Sequence, residues 1–197
     1  GHAMADPATL SDRHWATGAN LARVQRLDRL AGGDASRPLG PDMPALVLFT
    51  SGTTGAPRGV VHSPASLAAT MTMASRFVGL GPDDRVLGNG LHLVAPALLA
   101  GAAVILPPPR GGDTALAKLT RRLEVSHVSL PLHRALAWAA AGGSSSALQM
   151  VMLGSAPVRN VGLRELATHI PAARIATAYG LTEHLLVASL SADERLA

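Results

Sequence analysis

Residues 48–63 combine the glycines and polar side chains that can bind a phosphate group; their sequence is LFTSGTTGAPRGVVHS. The glycines are Gly52, Gly55 and Gly59, and the hydroxyl residues are Thr50, Ser51, Thr53 and Thr54. Glycines let backbone N–H groups turn toward an anion, and hydroxyls donate further hydrogen bonds. Arg58 adds a planar cation suited to phosphate oxygens. A flexible surface loop is the less favoured interpretation, because the segment leaves an apolar run and ends on a cation.

Two later segments also combine glycine with hydroxyl residues, and the second of them adds an acidic residue. The first, Leu153 to Pro157, reads LGSAP, and the second, Ala178 to Glu183, reads AYGLTE. The three segments, in this order, resemble the signature motifs of the adenylate-forming superfamily of acyl- and aryl-CoA ligases, nonribosomal adenylation domains and luciferases. The resemblance extends from about Ala45 to about Ala192.

The resemblance implies an enzyme that joins a carboxylic acid to ATP, releases pyrophosphate and passes the acyl-adenylate to a thiol of CoA or of a carrier protein's phosphopantetheine. It implies ATP and Mg²⁺ as ligands. Arg58, which stands where family members usually have Lys, Thr182 (α-phosphate) and Glu183 (Mg²⁺) would be catalytic. The other nucleotide-binding residues would be Thr50, Ser51, Gly52, Thr53, Thr54, Gly55, Gly154, Ser155, Ala156, Pro157, Tyr179 and Gly180.

Several of these residues also have simpler interpretations. Taken alone, Tyr179 at a strand end is more often packed in a core, and Glu183 is equally well a surface acid. A structural role is favoured for His62 over a place in the acyl pocket. His92 is not assigned to that pocket, because the Pro-Leu-Phe-His stretch of the family is missing from this part of the sequence. The Asp that binds an α-amino group in amino-acid-activating members is not identifiable.

The elements that would position these residues alternate between strands and helices. Strands are predicted at 45–49, 59–62, 85–87, 102–106, 125–130, 149–153, 174–178 and 185–190. Helices are predicted at 14–30, 64–78, 91–100, 131–141 and 158–170, and at 113–123 with Asp113 or Thr114 as the cap. This order predicts an α/β fold with a largely parallel sheet flanked by helices. The strand before the phosphate-binding segment is predicted to be buried, and all three motifs follow strand ends, where such sheets bind ligands.

Composition narrows the function further. The chain is 48% hydrophobic and 15% charged, which is typical of a globular protein rather than a disordered one. Aromatic residues make up 3% and the scattered arginines give a formal charge of +4, so a nucleic-acid partner is not expected. No apolar run is long enough for a membrane span. The absence of cysteine excludes thiolate chemistry. Cytoplasmic localisation is predicted from the missing secretory signal and from the ATP chemistry that the resemblance implies.

The 197 residues divide into three predicted parts: an expression scar (1–4), a helical segment with a linker (5–44) and the AMP-binding-like core (45–197). Family members also have a large preceding lobe, a ribose-binding Asp and a small lobe with a catalytic lysine, for which Lys118 is not a candidate.

One interpretation of the chain is the nucleotide-binding portion of a ligase, completed by another lobe. The alternative is a minimal, catalytically altered homologue that binds a ligand or partner. A relative with different downstream chemistry is a third. Small apolar side chains favour an aryl or acyl substrate, and self-association would cover exposed apolar surface.

Overall fold

A mixed six-stranded sheet organises the part of the chain that the computed structural model describes, residues 40–50, 58–107 and 111–197. The strands are β3 (Arg85–Leu87), β4 (Ala103–Ile105), β5 (His127–Leu130), β6 (Met150–Leu153), β7 (Arg174–Tyr179) and β8 (Ala188–Ser191). Their order is β4-β3-β5-β6-β7-β8. All neighbours are parallel except β7 and β8, which pair antiparallel from Ala176 with Ser191 to Tyr179 with Ala188.

Helices cover the two faces of this sheet. They are α1 (Pro64–Val78), α2 (Leu91–Leu99), α3 (Asp113–Arg122), α4 (Leu132–Ala140), α5 (Asn160–His169) and α6 (Ala192–Leu196). Along β6, Met150 and Met152 pack in one cluster with residues of α1 and α2, whereas Val151 and Leu153 pack in another with residues of α3 to α6. All four side chains of β6 are therefore buried, as expected for a parallel strand covered on both faces. The predicted α/β fold is confirmed.

Two further strands form a separate antiparallel hairpin. Strand β1 (Leu46–Phe49) pairs with β2 (Gly59–His62), from Leu46 opposite His62 to Phe49 opposite Gly59. The prediction of a buried strand here is wrong, since Val47 is 48% exposed and Phe49 70% exposed. Only one face of a two-stranded hairpin packs on the rest of the protein, so alternate side chains point outward.

Local signals correctly predict where several helices begin. Helix α1 begins after Ser63, whose hydroxyl accepts from the Ser66 amide at 3.2 Å while the Ser66 hydroxyl accepts from the Ser63 amide at 3.1 Å. Pro64 occupies the first turn, where its missing N–H costs nothing. The cap predicted at Asp113 or Thr114 is wrong, because the N-cap of α3 is Gly112.

The C-terminal elements differ most from prediction. Strand β8 begins three residues later than predicted, because residues 180–187 form a loop. Helix α6 is not predicted, since five residues are too few for a helical hydrophobic period, although Ser191 and Glu194 form a capping box. In the ranges that the structure describes, none of the helices is long and apolar enough to cross a membrane. The predicted helix at 14–30 lies outside the described residues.

Candidate functional site

A cleft of about 330 Å³ lies at the carboxyl ends of β6 and β7. Its lining comes from four elements: the end of β1, the first turn of α2, and the segments after β6 and β7. The residues are Leu48, Phe49, His92, Gly154, Ser155, Ala178, Gly180, Leu181, Thr182 and Leu185. All three sequence segments thus contribute residues to one cavity, the first through its apolar start, Leu48 and Phe49.

The segment after β6 turns sharply into the cleft. Ser155 has a φ of +63°, a left-handed conformation that costs a non-glycine residue about 1 kcal/mol. Gly154 comes before it, and the position of a Cβ at Gly154 would be 3.5 Å from the carbonyl oxygen of Ala178 on β7. The two strands pair up to Leu153 opposite Thr177, so the segments that follow them both line the same cavity.

The segment after β7 forms a tight loop at the cleft. The amide of Leu181 donates to the carbonyl of His184 at 2.9 Å, and the amide of His184 donates back at 3.1 Å. Gly180 lies so close to this loop that a Cβ there would be 2.1 Å from the carbonyl oxygen of Leu185. Thr182 lines the cleft and is half-buried, whereas Glu183 is exposed.

The hairpin brings the two ends of the predicted phosphate-binding segment together. The amide of Thr50 donates to the carbonyl of Arg58 at 2.9 Å, and the amide of Arg58 donates to Thr50 Oγ1 at 3.3 Å. Arg58 is exposed, so its guanidinium is accessible to an anion. The residues Ser51, Gly52, Thr53, Thr54 and Gly55 lie outside the described residues, and their role in phosphate binding stays a prediction.

The predicted nucleotide-binding residues that follow β6 and end β7 occupy different surroundings. Gly154, Ser155 and Gly180 line the cleft, and the Tyr179 side chain next to Gly180 is 58% exposed. Ala156 and Pro157 line a second, mainly apolar cavity of about 370 Å³, formed with Leu132, His133, Leu136, Arg159, Val161 and Gly162 from the beginnings of α4 and α5. The LGSAP turn therefore separates two cavities.

His92 lines the cleft, although its sequence context does not assign it there. It is the second residue of α2, and a Cβ at Gly90 would be 2.3 Å from its Cε1 atom, so the ring folds back over the start of the helix. Burial lowers the pKa of the His92 imidazole, so the cleft contains a neutral ring at pH 7. A histidine in a first helical turn, following a glycine that leaves room for its ring, is the signal that could have identified it.

These groups are suited to hold a polyanion and an apolar group side by side. From the cleft lining, Thr182 and Ser155 can donate to phosphate oxygens, while Leu48, Phe49, Leu181 and Leu185 provide apolar surface. The exposed Arg58 guanidinium, in the hairpin stem, is a further donor for an anion. Across the described residues, no group of three or more His, Cys, Asp or Glu side chains is arranged to hold a metal ion. A metal here would rely on few protein ligands and on the oxygens of its substrate.

The chain matches the family of AMP-binding enzymes over residues 4–197, a longer range than the three motifs cover. It is 32% identical over 164 residues to the indoleacetate–CoA ligase of Aromatoleum aromaticum, which covers 77% of this chain and 31% of that protein. It is 46% identical over 85 residues to the sulfoacetate–CoA ligase of Cupriavidus necator, and that alignment covers 38% of this chain and 17% of that protein. The chain thus spans less than a third of the length of either relative.

Solved structures share the fold. The nonribosomal peptide synthetase FmoA3 in its AMPPNP-bound form superimposes with a TM-score of 0.68 at 24% sequence identity. The superposition covers 80% of this chain and 18% of that chain. This similarity independently supports the sheet topology described above.

Proposed function

Because the chain belongs to the family of AMP-binding enzymes, we propose that it is the nucleotide-binding portion of a ligase that activates a carboxylic acid with ATP. The observation that carries the proposal is the cleft itself, in which Gly154 and Ser155 from one motif meet Gly180 and Thr182 from another. The stem of the third motif, Thr50 and Arg58, comes from the hairpin whose β1 strand lines the same cleft. The AMPPNP-bound form of FmoA3, which shares the fold, supports a nucleotide as the ligand.

In the proposed reaction, a carboxylate oxygen attacks the α-phosphorus of ATP. A bond from oxygen to the α-phosphorus forms, the bond to the β-phosphate oxygen breaks, and the products are an acyl-adenylate and pyrophosphate. Negative charge increases on the phosphate oxygens, so the protein contributes mainly positioning and hydrogen-bond donors. Thr182 would donate to the α-phosphate, and Arg58 would face the departing pyrophosphate.

Magnesium fits the residues present. Mg²⁺ in nucleotide sites keeps several waters and phosphate oxygens and needs only one or two carboxylates. Glu183, exposed and adjacent to Thr182 in the loop after β7, would supply one carboxylate. When bound, the ion would neutralise part of the charge on the phosphates.

The substrate and the acceptor belong to the same proposal. The apolar lining from Leu48, Phe49, Leu181 and Leu185 suits an acyl or aryl group. The two ligases compared above are, by name, CoA ligases of an acetate derivative. Their names support a carboxylic acid without an amino group as the substrate and a thiol as the acceptor. In that second step, the sulfur would attack the acyl carbonyl and release AMP, and the thiol proton would pass to water. Because FmoA3 is a nonribosomal peptide synthetase, a carrier-protein thiol is the alternative acceptor in this proposal.

A second proposal concerns a protein partner. The outer face of the hairpin exposes Val47 and Val61, at 48% and 59%, and Phe49, which also lines the cleft, is 70% exposed. Such a cluster is typical of a surface that another protein segment covers. A complementary lobe, a second copy or a binding partner would each do so. This observation supports the alternative of a homologue that acts by binding.

Calorimetric titration with ATP, with and without Mg²⁺, tests the proposal. One-site binding that requires Mg²⁺ is the expected result, because Glu183 would bind the ion while Thr182 and Arg58 donate hydrogen bonds to the phosphates of the same ATP molecule. Absence of binding at about 1 mM ATP would refute nucleotide binding by this chain and favour the role in partner binding.

A further inference from the structure

A buried histidine connects the hairpin to the loop after β7. The side chain of His62, the last residue of β2, is only 4% exposed. Its Nε2 atom lies 2.8 Å from the carbonyl oxygen of Thr182, 120 residues later in the chain. His62 is therefore not a residue of the cleft wall, and its contact is with the backbone of a residue that is.

The direction of this hydrogen bond follows from its acceptor. A carbonyl oxygen has no proton to give, so Nε2 must carry the hydrogen and donate it. At this position the histidine acts as a fixed N–H donor rather than as a base. The donor is also rigidly held, because the His62 carbonyl accepts from the Ala45 amide at 2.9 Å and the next residue, Ser63, caps α1.

The bond joins two segments that have to act on one ligand. On the hairpin side, Thr50 directly follows β1 and Arg58 directly precedes β2, and their mutual hydrogen bonds close the stem. On the other side, Thr182 lies in the short turn closed by the reciprocal amide bonds of Leu181 and His184. The two segments belong to different sheets of the described residues, since β1 and β2 pair with each other in a two-stranded sheet and β7 belongs to the six-stranded sheet. Strand pairing therefore does not set the distance between them.

We propose that His62 is a positioning residue, whose N–H donor to the Thr182 carbonyl sets the loop after β7 at a fixed distance from the Thr50–Arg58 stem. The inference rests on the proposed function, because the two segments need a fixed spacing only if one ligand reaches both. ATP is such a ligand, whereas adenosine, which lacks phosphates, would reach only the loop side. Loss of the donor should therefore weaken ATP binding more than adenosine binding.

Two substitutions separate the donor from the volume of the ring. His62→Gln retains an N–H donor at the end of a side chain of similar length, and His62→Leu fills the site without a donor. His169→Leu, at the exposed end of α5, is the matched control for replacing a histidine by leucine. Each variant is measured by hydrogen–deuterium exchange over 180–187 and by titration with MgATP and with adenosine.

The expected result is faster exchange, by about tenfold, at the amides of Leu181, His184 and Val187 in His62→Leu. These amides all donate to backbone carbonyls within this part of the chain. ATP affinity should fall by about tenfold while adenosine affinity changes less than threefold, and His62→Gln should restore most of both. The control should match the wild type.

Unchanged exchange over 180–187 in His62→Leu would overturn the proposal. A lower melting temperature in this variant would not rescue it, because a general loss of packing would explain the lower temperature. Equal losses of ATP and adenosine affinity would overturn it as well. If the wild type binds no nucleotide, the proposed function fails separately. The exchange measurement then still decides whether His62 fixes the loop.

Discussion

The two ends of the six-stranded sheet use polar side chains in opposite ways. At the amino ends of β3 and β5, Ser126 Oγ lies 2.8 Å from both Asp84 Oδ1 and His127 Nδ1, and also accepts from the Arg85 amide at 3.0 Å. Asp84 Oδ2 accepts from the Gly81 amide at 2.8 Å. At the carboxyl ends of β6 and β7, Ser155, Thr182 and His92 line an open cleft instead.

The difference shows why two sets of similar residues have different roles. Polar groups that satisfy one another inside the fold contribute to stability and are inaccessible to a ligand. Groups directed into a cleft retain the capacity to bind something else. The comparison is clearest for two histidines, since burial lowers the pKa of both His127 and His92, yet His92 lines the cleft whereas His127 Nδ1 lies 2.8 Å from Ser126 Oγ. Substitutions at the two ends should therefore separate binding from stability.

The largest effect is expected from Gly180→Ala at the carboxyl end. A Cβ at this position would clash with the Leu185 carbonyl, and the loop carrying Thr182 would have to move. ATP affinity, measured by calorimetry, should fall by about a hundredfold or more. Gly112→Ala is the control, because a Cβ at Gly112 meets nothing within 4 Å. Unchanged affinity in Gly180→Ala would remove this loop from the binding site.

At the amino end, Asp84→Ala should lower the free energy of unfolding by about 2 to 3 kcal/mol, because it leaves Ser126 and the Gly81 amide without their charged acceptor. Chemical denaturation measures this change. The exposed neighbour Asp83, replaced by Ala, is the control. ATP affinity below the unfolding transition should stay at the wild-type value. A loss of affinity in Asp84→Ala would mean that the two ends of the sheet are coupled.

Glu183→Gln should reduce the magnesium dependence of ATP binding by about tenfold, since the amide retains the size of the side chain but loses the charge that attracts the ion. Titrations at several Mg²⁺ concentrations measure this dependence. Glu165→Gln on the exposed side of α5 is the matched control. An unchanged magnesium dependence would make Glu183 a surface acid, the simpler of its two interpretations.

The smallest effect concerns pH. Burial, the main cause, lowers the pKa of His127; the Arg174 charge lowers it further, and Asp84 partly opposes the shift. Between this lowered pKa and the ordinary value of about 6.5, the unfolded chain binds more protons than the folded one. The stabilising contribution is therefore fully present above about pH 6.5 and is lost as the pH falls through the folded-state pKa.

His127→Asn retains polar groups but does not titrate, so unfolding of this variant should depend less on pH than unfolding of the wild type between about pH 7 and pH 5. Denaturant titrations across this range measure the difference, which should not exceed about 1 to 2 kcal/mol. His169→Asn, on the surface, should retain the wild-type dependence. The same pH dependence in wild type and His127→Asn would assign the effect to other groups.

Much of the fold is predictable because its signals are local. Ser63 and Pro64 mark the start of α1, and the run from Met150 to Leu153 marks a strand buried on both faces. The burial of β1 is predicted wrongly, because an apolar strand of four residues reads the same whether one or both faces are covered. His92 is missed for a related reason, since the direction of a side chain in a first helical turn depends on the neighbouring Gly90.

The sequence by itself determined the class of fold, the family and the three motifs, because these depend on residue types at fixed spacing along the chain. Only the tertiary structure decided which of these residues meet. It separated Gly154 and Ser155 from Ala156 and Pro157, brought His92 into the cleft, and connected His62 to Thr182. The physical reason is that contacts between distant residues depend on how sheets and helices pack together, and residue spacing along the chain does not specify that packing.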